Sequence, residues 1–261
     1  MGTREGDTAR SRYERQIIFP PIGEEGQERL RRARVVVVGV GGLGCPAATY
    51  LACAGVGHLT LIDSDTVEWS NLNRQILHWE EDVGREKVVS AVSKLRRLNS
   101  EVDLKAIRTR VTAENAEELL AEAEVVVDAL DNVETRLVIN RACHRRGKPL
   151  VHGGINGLIG EITTILPGRT PCLECLLPSP PPQPPRRPFP VVGATPGVVA
   201  ALQVMETLKL LLGFGELLAG RVLYLDGETM KFVTASIRPR PGCPVCGGVQ
   251  GEAAGTERGS M

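Results

Sequence analysis

Short β-branched runs alternate along this chain with longer segments of helical spacing. Val35 to Val38 is an unbroken β-branched run, the pattern of a parallel strand buried on both faces. Gly39, Gly41, Gly42 and Gly44 follow at once, then an Ala/Leu-rich helical segment and a second apolar strand ending at Asp63. The pattern predicts a short basic helix over Gly26–Ala33 and a longer one over Gly84–Leu98, with Val88, Val89, Val92, Leu95 and Leu98 facing the core. Further strands are expected at Val102–Ile107, Glu124–Ala129, Pro149–Gly154 and Ile159–Leu166, and helices at Asn115–Ala121 and Val133–Arg145. Thr195–Gly213 is a strong helix with Pro196 in its first turn and Gly213 at its stop. Two strands, Arg221–Asp226 and Lys231–Ile237, should complete the core. The alternation predicts an α/β fold, a doubly wound and mostly parallel sheet extended by antiparallel strands. Ser179–Pro190 is dense in proline, which excludes helix and interior strand, and is expected to be an exposed, mobile crossover. Residues 1–11 and 249–261 are small and polar, with the composition of disordered ends.

Strand, glycine turn, helix, strand and terminal acid make the first half of a nucleotide-binding unit. The glycines let the backbone approach a phosphate, and the helix behind them offers free N–H groups and a positive dipole end. Asp63, about 20 residues on, is spaced to take ribose hydroxyls. This stretch alone does not choose between a nicotinamide dinucleotide and ATP, and a glycine turn that has lost its ligand would look the same. A second constellation is charged. Arg74 and Gln75 close a polar stretch, Lys87 opens a helix, and Asp131 with Asn132 follows the fourth strand. Two cations and a carboxylate at the strand ends suit triphosphate chemistry, the cations neutralising charge on phosphorus and the acid holding Mg²⁺.

Lys plus Arg and Asp plus Glu both number 31, so charge favours neither a nucleic acid nor an anionic membrane as partner. Aromatic residues are 3%, too few for a stacking platform. The polar opening of the chain lacks a signal-peptide core, and a cytoplasmic location with reduced cysteines is expected. Four of the seven cysteines form two CxxC pairs, Cys172/Cys175 and Cys243/Cys246, whose spacing suits a closed, structural zinc site. Cys53 and Cys143 fit buried apolar filler, whereas Cys45, at a helix N-terminus, sits where a thiol pKa can fall.

The ordered series VGVGGLGCPAATYLACAGVGHLTLIDSDTVEWSNLNRQ, VGREKV, DALDNVETR, PCLEC and CPVCG resembles the MoeB/ThiF/HesA family, prokaryotic relatives of the ubiquitin-activating enzymes, and most of all its MoeB type, which serves molybdenum cofactor biosynthesis. The resemblance spans Tyr13 to Gly247 and implies a Rossmann-like adenylation domain over 12–248. Within it, 12–150 would be the nucleotide-binding half and 151–248 the zinc- and carrier-binding half, with a crossover loop at 176–194. It implies adenylation of the C-terminal glycine of a small ubiquitin-like protein ending in Gly-Gly by MgATP, with release of pyrophosphate. Gly39, Gly41, Gly42 and Gly44 would line the phosphate path, Asp63 and Asp65 would serve the ribose side, and Asn71, Arg74, Gln75 and Lys87 would contact phosphates. Asp131, with Asn132 beside it, would position Mg²⁺. Arg15 resembles an arginine that crosses a homodimer interface into the neighbour's ATP site. The family's loop cysteine is missing, because Leu176–Val199 contains none, so adenylation without a covalent transfer step is expected. Arg186 and Arg187 stand in its place, as a solvated run or as contacts for an acidic tail.

Two other classes bear comparison. An NAD-dependent oxidoreductase explains the glycine turn but leaves Arg74, Lys87, Asp131 and the cysteine pairs without a role. A non-catalytic scaffold for a ubiquitin-like protein has no need of the charged set.

Overall fold

The structure, a computed structural model, describes residues 12–177 and 189–247. The expectations for 1–11, for most of the proline run with Arg186 and Arg187, and for 249–261 lie outside the described residues. A short helix α1 (12–17) leads into α2 (Gly23–Arg32), β1 (Arg34–Val38), α3 (Gly44–Cys53) and β2 (His58–Asp63). Then come α4 (Lys87–Leu98), β3 (Asp103–Arg108), α5 (Ala116–Leu119), β4 (Val125–Asp128) and α6 (Val133–Arg146). The chain continues with β5 (Leu150–Asn156), β6 (Ile159–Ile165), α7 (Leu173–Leu176), α8 (Ala194–Leu212), β7 (Arg221–Asp226) and β8 (Lys231–Ser236).

All eight strands form one sheet in the order β3-β2-β1-β4-β5-β6-β7-β8. Pairing is parallel from β3 through β5 and antiparallel from β5 through β8. This is the expected Rossmann-like sheet with an antiparallel extension. Strand order reverses between β1 and β4, and ligands of such sheets bind in the crevice beyond the strand C-termini at that point.

The β-branched run has the predicted double burial. Val35 and Val37 pack with α3, α4 and α8 on one face, while Val36 and Val38 pack with α5, α6 and the cysteine pairs on the other. Helix α8 runs through the first layer, and Gly213 ends it in the left-handed conformation at φ 73°, the predicted stop. Arg29 of α2 donates to the carbonyls of Leu211 and Leu212, placing a cation at the negative end of that helix.

Three expectations need correcting. In α4 the buried face is Val88, Ala91, Val92 and Leu95; Val89 and Leu98 lie at the surface, Val89 being turned about 100° round the helix from Val88. Strand β8 does not complete the core, since all six of its residues are exposed among the described residues. Cys53, the last residue of α3, is exposed rather than buried filler. Cys143 is buried as expected.

Candidate active site

The glycine turn is fixed by contacts on both sides of Val40. Asp63, at the end of β2, accepts the Val40 N–H at 2.7 Å with one carboxylate oxygen and the Asp65 N–H at 2.8 Å with the other. His78 Nε2 lies 3.0 Å from the Val40 carbonyl and its Nδ1 lies 2.9 Å from Ser90 Oγ. Burial lowers the His78 pKa, so the ring is neutral; we assign Nε2–H as the donor to Val40. Nothing in the sequence pattern marked His78, whose 38-residue separation from Val40 carries no periodic signal.

The four glycines divide by what surrounds them. Gly39 has φ +95°, and a Cβ there would lie 2.6 Å from the Ala129 carbonyl. A Cβ at Gly44 would fall 1.9 Å from the Gly39 carbonyl, so α3 can start only where no side chain intervenes. Gly41 and Gly42 are different. At Gly41 the nearest atom would be Gln75 Nε2 at 3.7 Å, and at Gly42 the nearest is Pro196 at 3.4 Å. The outer pair therefore serves turn geometry, and the inner pair leaves a bare backbone surface.

Helix α3 starts at that surface, and α8 and the polar stretch close on it. Pro196 and Arg74 both approach Gly42, and a Cβ at Gly193 would strike the Asn73 carbonyl at 2.4 Å, so α8 begins against the polar stretch. Lys87, the first residue of α4, is buried and pairs with Asp65 at 2.9 Å. A cation in a helix's first turn opposes the helix dipole, and this one is held there by a carboxylate that is itself mostly exposed. Arg74 donates to the Ser70 carbonyl and to Asn73 Oδ1. Asn71 is buried and accepts the Glu68 N–H. Gln75 is buried, with Oε1 lacking a partner. Asp131 is exposed at the C-terminal side of β4, and Asn132 caps α6 by accepting the Thr135 N–H at 2.9 Å.

Cys45 does not have a lowered pKa. Burial pushes its thiol up to about 12, and Sγ lies 3.4 Å from the Val40 carbonyl. Arg15 is exposed on α1 and makes no polar contact among the described residues. Helix α1 docks where α3 ends, through Gln16 on the Ala54 carbonyl, and where α4 ends, through Arg12 on the Leu98 carbonyl. The length of α3, about 15 Å at 1.5 Å per residue, therefore separates Arg15 from the glycine turn of its own chain.

The sulfurs of Cys172, Cys175, Cys243 and Cys246 lie within 4.8 Å of one another. Cys172 and Cys243 are 3.6 Å apart, and Cys175 and Cys246 3.4 Å. Tetrahedral zinc with bonds of about 2.3 Å spaces its sulfurs about 3.8 Å apart, so the donor set fits. The Arg240 N–H donates to Cys175 at 3.4 Å. Burial raises the Cys243 thiol, but the N–H groups of Cys246 and Val245 outweigh it and bring the pKa to about 7. Such a cluster can hold a metal.

Residues 13–245 match the ThiF family. The chain belongs to the ThiF family. It is 47% identical over 244 residues to the SAMP-activating enzyme E1 of Haloferax volcanii, covering 92% of this chain and 90% of that one. It is 46% identical over 244 residues to the sulfur carrier protein adenylyltransferase of Thermus thermophilus, covering 90% of each. The adenylyltransferase and sulfurtransferase MOCS3 of Anopheles gambiae is 47% identical over 240 residues; the match covers 90% of this chain but 54% of that longer protein. Among solved structures, E. coli MccB with ATP superposes with a TM-score of 0.80 at 26% identity, covering 90% of this chain and 74% of MccB. This ThiF-family chain is thus an enzyme of the adenylyltransferase class, which removes the oxidoreductase and the scaffold from consideration. What the sequence did not show is the contribution of α8, the support from His78, and the Lys87–Asp65 pair.

Proposed function

We propose that this ThiF-family enzyme uses MgATP to adenylate the C-terminal glycine of a small ubiquitin-fold protein, releasing pyrophosphate. The observation that carries the proposal is the bare backbone of Gly41 and Gly42, with Arg74 and the first turn of α8 against it and buried Lys87 at the start of α4. Such a place suits several phosphates at once. A carboxylate oxygen of the carrier attacks the α-phosphorus, and the bond to the pyrophosphate oxygen breaks. Both reactants are anions, so the work of the site is alignment and the neutralisation of charge. In this proposal the backbone of Gly41 and Gly42 forms the phosphate path, and Gly39 and Gly44 keep the turn that presents it. Asp63 and Asp65 serve the ribose side, and Asn71, Arg74, Gln75 and Lys87 contact phosphates. Asp131, with Asn132 beside it, would hold Mg²⁺, which would offset phosphate charge.

Arg15 supports a homodimeric enzyme: it is exposed, without a partner among the described residues, and sits at the wrong end of α3 for its own crevice, so it is suited to a neighbour's. The cysteine cluster would hold a structural zinc that ties the C-terminal segment to α7. The carrier is placed on the 151–248 half, where β8 offers a free edge and Met230, Phe232 and Val233 are exposed. No cysteine lies between Leu176 and Val199, so the product on this chain remains the adenylate and sulfur is added by another protein. A cytoplasmic location is part of the same proposal. Helix α8 is long and apolar enough to cross a membrane, but it packs within the core.

The test is mass spectrometry of a ubiquitin-fold protein ending in Gly-Gly after incubation with the enzyme and MgATP. The carrier should gain one adenylyl group with the native enzyme and none with Asp131→Ala. An adenylated carrier in the presence of Asp131→Ala at the native rate would remove Asp131 from the site.

A further inference from the structure

Beneath the loop that carries Asp131 lies a cluster of four ionisable groups drawn from four elements. Asp128 at the end of β4 and His152 on β5 are both fully buried, with Oδ2 to Nδ1 at 2.6 Å. His152 Nε2 faces Glu161 of β6 at 3.5 Å. Arg136, from the second turn of α6, sends Nε toward Asp128 Oδ2 at 3.7 Å without a hydrogen bond. Its Nη2 donates to the Leu130 carbonyl at 2.5 Å and to the Gly153 carbonyl at 2.9 Å. Asp128 Oδ1 in turn accepts the Leu130 N–H at 3.1 Å.

Buried ions are costly, and apolar residues of similar volume usually stabilise a core at least as well. Among the described residues its side chains make no hydrogen bond to the glycine turn, and their polar contacts outside the cluster are to the Leu130 N–H and carbonyl, next to Asp131, and to the Gly153 carbonyl of β5. Both peptide groups flanking Leu130 are held, one by its N–H and the next by its C=O. There is little slack nearby. A Cβ at Gly153 would lie 2.6 Å from Gln203, and one at Gly154 would lie 2.7 Å from Glu161. From α8, Gln203 also donates to the Asp128 carbonyl at 2.7 Å. We propose that Asp128, His152, Glu161 and Arg136 form a positioning unit for Asp131, clamping the Leu130 peptides so that the next carboxylate is held at one place on the crevice rim. The proposal rests on the adenylation reading in taking Asp131 as the group that needs placing.

The charge pattern is consistent with that role. Burial opposes ionisation of Asp128, but Arg136 and His152 outweigh it and hold its carboxyl below the ordinary range. Burial lowers the His152 pKa, but Asp128 and Glu161 outweigh burial and the Arg136 charge and raise it, which favours the imidazolium between the two carboxylates. Tyr224 of β7 faces Glu161, and Cys143 of α6 faces Asp128; burial raises both, so both stay neutral.

The test uses Arg136→Lys, which keeps the charge and loses the paired donors, with His152→Asn as a second variant that keeps a donor to Asp128 and loses the charge. Carrier adenylation is measured against ATP and Mg²⁺, and amide hydrogen exchange is followed at Leu130. A folded Arg136→Lys enzyme should lose about 10–100-fold in kcat with KM for ATP unchanged, the range expected for an orienting partner, and Leu130 should exchange faster. Native kcat with native Leu130 protection in either folded variant overturns the proposal, as does lowered thermal stability with unchanged kcat. If the native enzyme adenylates no carrier, the adenylation reading fails by itself. The clamp is then decided by Leu130, where lost protection in the variants supports it and equal protection overturns it.

Discussion

The division of the glycine turn into structural and ligand-facing positions makes a sharp prediction for Gly41→Ala and Gly44→Ala. Gly41 has an ordinary negative φ, and its added methyl would meet nothing nearer than 3.7 Å. Alanine at such a position typically stabilises by about 0.4–1 kcal/mol, because it restricts the unfolded chain. Gly41→Ala should therefore unfold at the native temperature or slightly above it. Its methyl would nevertheless stand on the bare surface assigned to phosphate. A tenfold loss of ATP affinity, about 1.4 kcal/mol, is the least expected from a group wedged between backbone N–H donors and an anion. At Gly44 the methyl would lie 1.9 Å from the Gly39 carbonyl, against an ordinary contact of at least 3.4 Å. Either the turn or α3 has to move, and overpacking of this kind costs about 1–3 kcal/mol or more, from a total of about 5–15 kcal/mol. Gly44→Ala should thus lose stability first and nucleotide binding only as a consequence. The assays are denaturant unfolding and calorimetric titration of ATP. A Gly41→Ala protein that folds and binds ATP as the native one does would refute the phosphate path at this turn.

Three further predictions follow from the same geometry. Cys172→Ser should lower the bound zinc, read by elemental analysis of the purified protein, and destabilise the fold more than it alters ATP affinity; unchanged metal content would remove the structural-zinc assignment. Arg15→Ala and Asp131→Ala should each be inactive alone, yet mixed and allowed to exchange subunits they should recover about a quarter of native activity, since half of the resulting C2 dimers carry one complete site; a mixture that stays inactive would place Arg15 outside the neighbour's crevice. Stability should also depend on pH in two windows. His152 has a folded pKa above its ordinary 6.5, so its contribution is complete below that value and is lost as pH rises through the folded pKa. Asp128 and Glu161 have folded pKa values below their ordinary 3.8 and 4.5, so theirs is present above those values and lost as pH falls through the folded ones. Urea unfolding across pH should show both limbs, with the alkaline one weakened in His152→Asn; an unchanged alkaline limb would mean that His152 is not the group responsible.

The parts of this molecule that local pattern determines were legible in its sequence. Val35–Val38 is buried on both faces as an unbroken β-branched run must be, and Gly213 stops α8 as a left-handed cap. The glycine turn with Asp63, the place of Lys87 at a helix start and that of Asp131 between β4 and α6 followed from the topology that this alternation implies, whereas Arg74 lies in an irregular turn. What failed was whatever depends on neighbours distant in sequence. The apolar Phe232 and Val233 look like core until the sheet leaves them exposed among the described residues. Cys45 stands at a helix N-terminus, but burial rather than the dipole decides its pKa. The Asp128–His152–Glu161–Arg136 cluster is assembled by the strand register between β4, β5 and β6, and single polar residues within apolar strands carry no local mark of it.

The most direct test of the central claim is ATP–pyrophosphate exchange by the purified enzyme, with a panel of ubiquitin-fold proteins ending in Gly-Gly. The account predicts exchange that appears with at least one carrier and vanishes when that carrier's terminal glycine is deleted. Exchange that proceeds without any carrier, or that survives deletion of the glycine, would contradict it.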